Sequence, residues 1–413
     1  MKLLRKLKTA ASVLRHYGLR EALGLLHDNI YLFFTLTQHR ALRLWHATLG
    51  RLTARLPRHP GVPRILYVTT KFEAFHSQTV RYRVHNFRQA LRGRASTRFE
   101  LIGEVHSAAW ADLVVLMRVT WTPAVEELLR RAEEHGVPTV FDIDDIVFLP
   151  EYAAHYCAAL GETGQDELEK RQGEFRGFEK TFRRCGCATA STPYIARIME
   201  GEGKRAFVIH NGLNRRQLRI ARAAVKRPKE ERTVGYMSGT KTHDRDFAQA
   251  APALARILRE YPDARLNVAG YLDLAALPRD VAARAVPAPY MHWTRLMRYG
   301  ARNAVNIAPL DTQNPFCHAK SELKYFEAAA VGVPTVASPT DTFARCIKDG
   351  ENGMLAADEE EWYRALRRLF DDRALYERMA RRACDDALRN YGPEATAGEA
   401  LAAYAAVLGQ RAP

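Results

Sequence analysis

Residues 305–337 read VNIAPLDTQNPFCHAKSELKYFEAAAVGVPTVA. The apolar, β-branched run Val305–Pro309 gives way to a polar loop. Helix-forming residues follow, then the turn Gly332-Val333-Pro334 and a second apolar run, Thr335–Ser338. Strand, loop, helix, turn, strand is the repeating unit of a parallel sheet, because parallel neighbours need a crossover and the crossover is usually helical. The loop delivers Lys320 and Ser321 to the start of the helix, where backbone N–H groups lack intrahelical partners and can meet an anion. Lys324 and Glu327, three apart, share one helical face. The cation suits a phosphate, and the carboxylate can accept hydrogen bonds from a ribose diol. An ordinary exposed pair on an amphipathic helix has the same spacing.

The alternation extends in both directions. Thr233–Met237 and Leu266–Ala269 read as strands around a helix at Phe247–Tyr261. Upstream, strands are predicted at Ile65–Thr69, Leu113–Met117, Pro138–Ile143, Ala188–Thr192 and Phe207–His210. Helices are predicted at Val80–Leu91, Pro123–His135 and Gln165–Arg184. Continuous apolar strands mean a sheet covered on both faces. The basic, strand-poor stretch Asn214–Glu231 separates the two sets. The expected class is therefore α/β, with two doubly wound, Rossmann-like parallel-sheet domains facing a cleft. Their bounds are residues 61–212 and 213–390, with a basic amphipathic helical segment at 1–60 before them and a C-terminal helix in 391–413. Ligands of such sheets sit beyond the carboxyl ends of the strands. No G-x-G-x-x-G follows Ile65–Thr69 and no G-x-x-x-x-G-K-[ST] occurs, which disfavours a nicotinamide enzyme and a P-loop NTPase.

Length and composition agree with two packed domains: 413 residues, 47% hydrophobic and 26% charged. The net charge of +15 is uneven, since residues 1–60 carry eleven Lys/Arg against Glu21 and Asp28. A basic segment on a nearly balanced body argues against nucleic acid as a partner. Leu42, Trp45, Leu49, Leu52 and Leu56 step by three and four, with Arg40, Arg43, Arg51 and Arg55 off that stripe. Such a pattern suits an interfacial helix, so residues 1–58 are expected to meet an anionic membrane surface; packing on the protein's own core would also use it. No apolar run approaches the ~18 residues that span a bilayer. Six cysteines make no disulfide framework and suggest a reducing, cytoplasmic compartment; with the basic segment, the protein is expected to be peripheral on the inner face of the cell membrane. Cys185-Gly-Cys187 has no second ligand pair, so no metal is expected there.

Two further segments carry chemistry. In Val234-Gly-Tyr-Met-Ser-Gly-Thr-Lys-Thr-His-Asp-Arg-Asp-Phe247 a strand runs into Gly239-Thr240, and Lys241 and Arg245 offer positive charge. In Thr139-Val-Phe-Asp-Ile-Asp-Asp-Ile-Val-Phe148 three carboxylates end a buried strand. In an extended chain Asp142 and Asp144 point one way and Asp145 the other. Close carboxylates need a cation, a hydrogen-bonding substrate or a raised pKa, although helix capping is a plainer use.

Together these segments resemble a GT-B-type glycosyltransferase of the group called one, or family four, over roughly residues 64–390. Phe326-Glu-Ala-Ala-Ala-Val-Gly-Val-Pro-Thr-Val336 is similar to the signature EAMA.G.PVV, and Asp349-Gly-Glu-Asn-Gly-Met-Leu355 to G.NG.L. His210-Asn211-Gly212 resembles the NG that closes the first domain. Asp142-Ile-Asp-Asp145, Ser191-Thr-Pro193, Gly239-Thr240 with His243 and Asp246, and Lys320-Ser321 look like a bacterial polysaccharide-assembly subgroup.

The resemblance implies transfer of a sugar from a nucleoside diphosphate sugar to a hydroxyl of a glycan or lipid-linked acceptor, with retention and without a bound metal or other cofactor. It places Glu327 on the ribose, Lys324 and Arg245 at the diphosphate, and Gly239, Thr240 and Lys241 beside it. Tyr290, at the end of a loop near the base, and His318, Lys320 and Ser321 complete the donor side; Asp144 and Asp145 face the acceptor. The family's E-x7-E is broken, because its first position is Ala319. Two alternatives stand beside this: a metal-dependent transferase using Asp142 and Asp144 as a D-x-D, and an inactive membrane-associated scaffold.

Overall fold

The computed structural model describes residues 62–106, 108–239 and 243–409. The 1–60 segment, and with it the expected membrane contact, lies outside the described residues. Two six-stranded parallel sheets form the frame. The first holds β1 (Arg64–Thr69), β2 (Ser96–Leu101), β3 (Leu113–Met117), β4 (Thr139–Ile143), β5 (Cys187–Ala190) and β6 (Ala206–Val208), in the order β2-β1-β3-β4-β5-β6. The second holds β7 (Thr233–Gly239), β8 (Arg265–Gly270), β9 (Ala285–Ala288), β10 (Val305–Ala308), β11 (Thr335–Ala337) and β12 (Met354–Leu355), in the order β12-β11-β10-β7-β8-β9. Every residue from Ile65 to Val68 and from Leu113 to Met117 is buried, as strands covered on both faces require.

Strand order reverses between β1 and β3 in the first sheet and between β7 and β10 in the second. These switch points are where helices diverge to opposite faces and leave a crevice beyond the strand ends. The segments that follow β1, β3, β7 and β10 therefore line the cleft. They carry Glu73, Arg118, Asp246 and Asp311.

Three strands escape the periodicity. β2, β9 and β12 are edge strands, and β9 contains Pro287, which an edge tolerates because one side of the strand needs no donor. The helix predicted at Val80–Leu91 is real but mixed: Arg81–Asn86 is π-helical and Phe87–Ala90 α-helical. The helix predicted at Phe247–Tyr261 is two, Asp244–Ala248 and Ala251–Glu260.

The described part of the C-terminal segment, residues 391–409, is tied to the first domain. Its helix Pro393–Val407 packs Ala397, Ala400, Ala403 and Tyr404 into the core of the first domain, beside Tyr67 and Phe87. The chain thus crosses between domains twice, near residues 213 and 391, and the Leu213 N–H donates to the Tyr391 carbonyl at 2.7 Å. Gly212 stands at that crossing because a Cβ there would lie 2.1 Å from Thr396 Oγ1 and 3.1 Å from the Tyr391 carbonyl oxygen.

Arg83 and Asp142 are fully buried and form a two-pronged pair at 3.1 and 2.6 Å. Thr189 Oγ1 donates to Asp142 as well, at 2.7 Å. Asp142 is therefore a structural carboxylate with both oxygens engaged, which corrects the D-x-D alternative. Arg83→Met should strip Asp142 of its cation and lower stability by about 3–5 kcal/mol. Denaturant unfolding would measure it, and a loss below about 1 kcal/mol would refute the role.

Candidate active site between the two domains

A cavity of about 290 Å³ lies across the cleft, lined from the first domain by Gln78, Arg81 and Tyr82 and from the second by Tyr290, Trp293 and Glu327, among others. Tyr290 and Tyr271 are stacked at 6.4 Å and present exposed aromatic faces. Gln78 Nε2 reaches the Tyr290 hydroxyl at 3.4 Å. Glu327 projects from the helix Leu323–Ala330. Its Oε1 accepts from the Tyr82 hydroxyl and from Gln217 Nε2 at 2.9 Å, with Arg81 Nη1 3.8 Å away.

One turn earlier on the same helix stands Lys324. Its Nζ lies 4.4 Å from the centre of the Tyr236 ring and 3.4 Å from that hydroxyl. Burial pulls Lys324 down to about 7, with Asp246 opposing and Lys320 assisting. Lys320 pairs with Asp246 at 3.0 Å, and His243 Nδ1 lies 3.0 Å from the same carboxylate oxygen. Burial opposes the charge on Asp246, yet Lys320, His243 and Lys324 outweigh it and hold the carboxyl well below the usual carboxylate range. Burial and the two lysines push His243 down to about 3, so it is neutral and donates from Nδ1. No side chain caps the start of the Leu323–Ala330 helix. Two amines and uncapped N–H groups make this part of the cleft receptive to an anion.

Across from it, Arg118 gathers three carboxylates. Its Nη1 lies 3.1 Å from Asp144 and 3.5 Å from Asp145, and its Nε lies 3.4 Å from Glu73. Arg118 follows β3 with φ of 49°, a left-handed conformation that a non-glycine residue adopts at a cost. Its N–H donates to the Asp142 carbonyl at 2.8 Å, which fixes the turn. Thr79 Oγ1 donates to Asp144 at 2.7 Å. Burial, then the neighbouring Asp144, push Asp145 up to about 7 against Arg118 and Lys320. Strand alternation does not reach this point, because β4 ends at Ile143: Asp144 and Asp145 share Arg118, while Asp142 turns inward to Arg83.

The cleft thus brings together Glu327, Tyr290, Lys324, Lys320, Asp144 and Asp145. Ser321 lies there too, accepting from Asn211 Nδ2 at 3.0 Å. Gly239 ends β7, where the register against β8 shifts. Thr240 and Lys241 lie outside the described residues. Two expectations change. Arg245 is exposed and donates to the Ala158 carbonyl at 2.6 Å, so it braces the domains rather than joining the lysines. His318 has both ring nitrogens engaged, Nδ1 accepting from the Asp341 N–H at 3.1 Å and Nε2 donating to the Thr312 carbonyl at 2.9 Å, and its ring stacks on Tyr194. It supports a loop instead of offering a donor to a ligand. Sequence reasoning missed Glu73, Gln78, Arg81, Tyr82, Arg118 and Gln217. Arg118 carried a readable signal, a charge directly after an all-apolar strand. The others are spaced as ordinary helix residues.

Comparison with known proteins bears on this geometry. Residues 231–372 match the family model described as Glycosyl transferases group 1. Sucrose-phosphate synthase from Thermosynechococcus elongatus superposes with a TM-score of 0.60 at 13% identity, over 84% of this chain and 99% of that one. HepE from Anabaena, solved in complex with UDP, gives 0.57 at 13% identity, over 83% and 100%. The fold is GT-B. A variant of S. aureus TarM, at 12% identity and a TM-score of 0.49, is matched over 72% of this chain, which spans only 55% of that longer protein. No curated protein sequence matches the chain.

The raised Asp145 gives a testable pH dependence. A carboxyl that binds its proton more tightly when folded contributes stability below its unfolded pKa of about 4, and loses it as pH rises through about 7. Asp145→Asn cannot ionise, so its melting temperature should gain on that of the unaltered protein between pH 4 and pH 8. Parallel melting curves across that range would show that Asp145 does not titrate as argued.

Proposed function

We propose that the protein is a glycosyltransferase that moves a hexose from a nucleoside diphosphate sugar to a hydroxyl of a glycan or lipid-linked acceptor. The observation that supports this most is the order of groups across the cleft. A carboxylate and aromatic faces line a cavity of nucleoside size, two amines and an uncapped helix start come next, and a cluster of carboxylates faces them. Each group matches one part of the reaction. Glu327 accepts a ribose hydroxyl, and Tyr290 with Tyr271 flanks the base. As the glycosidic bond breaks, negative charge grows on the leaving diphosphate, where Lys324 and Lys320 stabilise it. Lys324, held near 7 while the site is empty, becomes fully charged when the phosphate arrives. Asp144 and Asp145 orient the acceptor hydroxyl. An inverting enzyme would use Asp144 as general base, but that carboxylate is already bound by Thr79 and Arg118, which favours retention. A role in bacterial surface polysaccharide assembly accords with the motif resemblance of residues 142–145, 191–193 and 320–321.

The proposal extends to where the enzyme works. Among the described residues no helix is long and apolar enough to cross a membrane. Residues 1–58, with Trp45 on their apolar stripe, would dock on the inner face of the cell membrane, where a lipid-linked acceptor lies. Each cation near an anionic surface adds about 1 kcal/mol, screened by salt.

Three measurements test these readings. Glu327→Ala should weaken nucleoside diphosphate binding at least about tenfold, the equivalent of roughly 1.4 kcal/mol, with the fold little changed; equal affinity in the variant removes Glu327 from the donor site. A screen of UDP-, GDP- and ADP-sugars by donor hydrolysis identifies the donor. Full-length protein should co-sediment with anionic vesicles at low salt and release as salt rises. Indifference to such vesicles would leave the basic segment as a packing element.

A further inference from the structure

We propose that Tyr82 and Gln217 are positioning residues for Glu327, and that through Tyr82 the first domain helps to hold the nucleoside half of the donor. The inference rests on Glu327 being the ribose acceptor. Its own support is an asymmetry in the carboxylate. Both protein donors converge on Oε1: the Tyr82 hydroxyl from the first domain and Gln217 Nε2 from the helix Arg215–Ala224 beside the crossing. Among the described residues Oε2 has no hydrogen-bond partner, and Glu327 borders the cavity. A carboxylate can rotate and exchange its oxygens. Two donors arriving on one oxygen from different elements prevent that and leave the other oxygen presented to a ligand hydroxyl.

Tyr82 is itself held firmly. Its ring meets Phe326 edge-on at 6.3 Å, and the Arg81 guanidinium lies 4.0 Å from its face and 5.0 Å from Trp293. Burial above all, opposed by Arg81 and assisted by Glu327, keeps the phenol protonated and therefore a donor. The next residue, Arg83, fixes the backbone through Asp142. The oriented carboxylate thus exists only while the first domain is apposed to the second. A nucleotide that prefers the oriented form must in turn favour apposition, because coupling between two equilibria is reciprocal.

Tyr82→Phe keeps the ring and its packing and removes only the donor. Calorimetric titration with UDP, GDP and ADP would compare the unaltered protein, Tyr82→Phe, Glu327→Ala and the double variant. For the nucleotide that binds tightest, Tyr82→Phe should raise Kd about threefold to tenfold, the scale of one hydrogen bond. In the Glu327→Ala background the same change should have almost no effect, since it acts through the missing carboxylate. A tyrosine that merely packs would lower the melting temperature and leave Kd alone, which overturns the inference while Glu327 keeps its role. Equal losses with and without Glu327, or tighter binding by Tyr82→Phe because the phenol competes with the ligand, also overturn it. Unchanged affinity in Glu327→Ala, or no binding of any of the three nucleotides, defeats the underlying reading and this inference with it.

Discussion

One buried cation organises the space between the domains. The Arg83 guanidinium, with no access to water, joins Asp142 at the end of β4, the Ile209 carbonyl beyond β6 and, at 3.4 Å, Asn211 at the crossing. Removing a guanidinium from water costs several kcal/mol, and only a full set of acceptors offsets it. That requirement fixes where the π-helical turn Arg81–Asn86 must sit. The wider turn aims its neighbours differently from an α-helix. Arg81 and Tyr82 face the second domain, while Asn86 donates to the Gly212 carbonyl at 2.7 Å and accepts from Asn214 at 3.0 Å. Cleft shape, crossing and Glu327 orientation all descend from this anchor.

The charges of the cleft are arranged by sign rather than scattered. On the second-domain side two lysines share one strongly acidic partner, Asp246, and burial leaves one amine near its titration point. On the first-domain side one arginine serves three carboxylates, and burial leaves one of those near its own. Each half therefore contains a group whose charge a ligand can change at neutral pH. In both cases burial is the larger cause, and a like-charged neighbour, Lys320 beside Lys324 and Asp144 beside Asp145, adds to it.

The two sheets were legible because central parallel strands are buried on both faces and read as unbroken apolar runs. The edge strands β2, β9 and β12 were not: β9 has Val286 and Pro287 exposed, and β12 is two residues long. Lys320, Lys324 and Glu327 were legible because loop, helix start and helical face place them together by local geometry. Arg245 and His318 misled, since their local context matches a ligand loop while their hydrogen bonds go to Ala158, Thr312 and Asp341. Tyr82 and Gln217 were invisible for the opposite reason. They reach Glu327 from sequence distances of 245 and 110 residues, and no periodicity records such an encounter.

The helix Pro393–Val407 also has a bearing on how the molecule comes into being. The Tyr67 and Tyr404 hydroxyls meet at 3.1 Å in the first domain's core although 337 residues separate them. As the chain leaves the ribosome, the first domain's strands emerge early but must wait with one flank of their core uncovered. The second domain, whose sheet and packed helices span residues 233–390, can finish first. Long-range closure of this kind is slow and exposes apolar surface meanwhile. Truncations that remove the last helix should therefore damage the domain at the opposite end of the sequence and leave the nearer one folded.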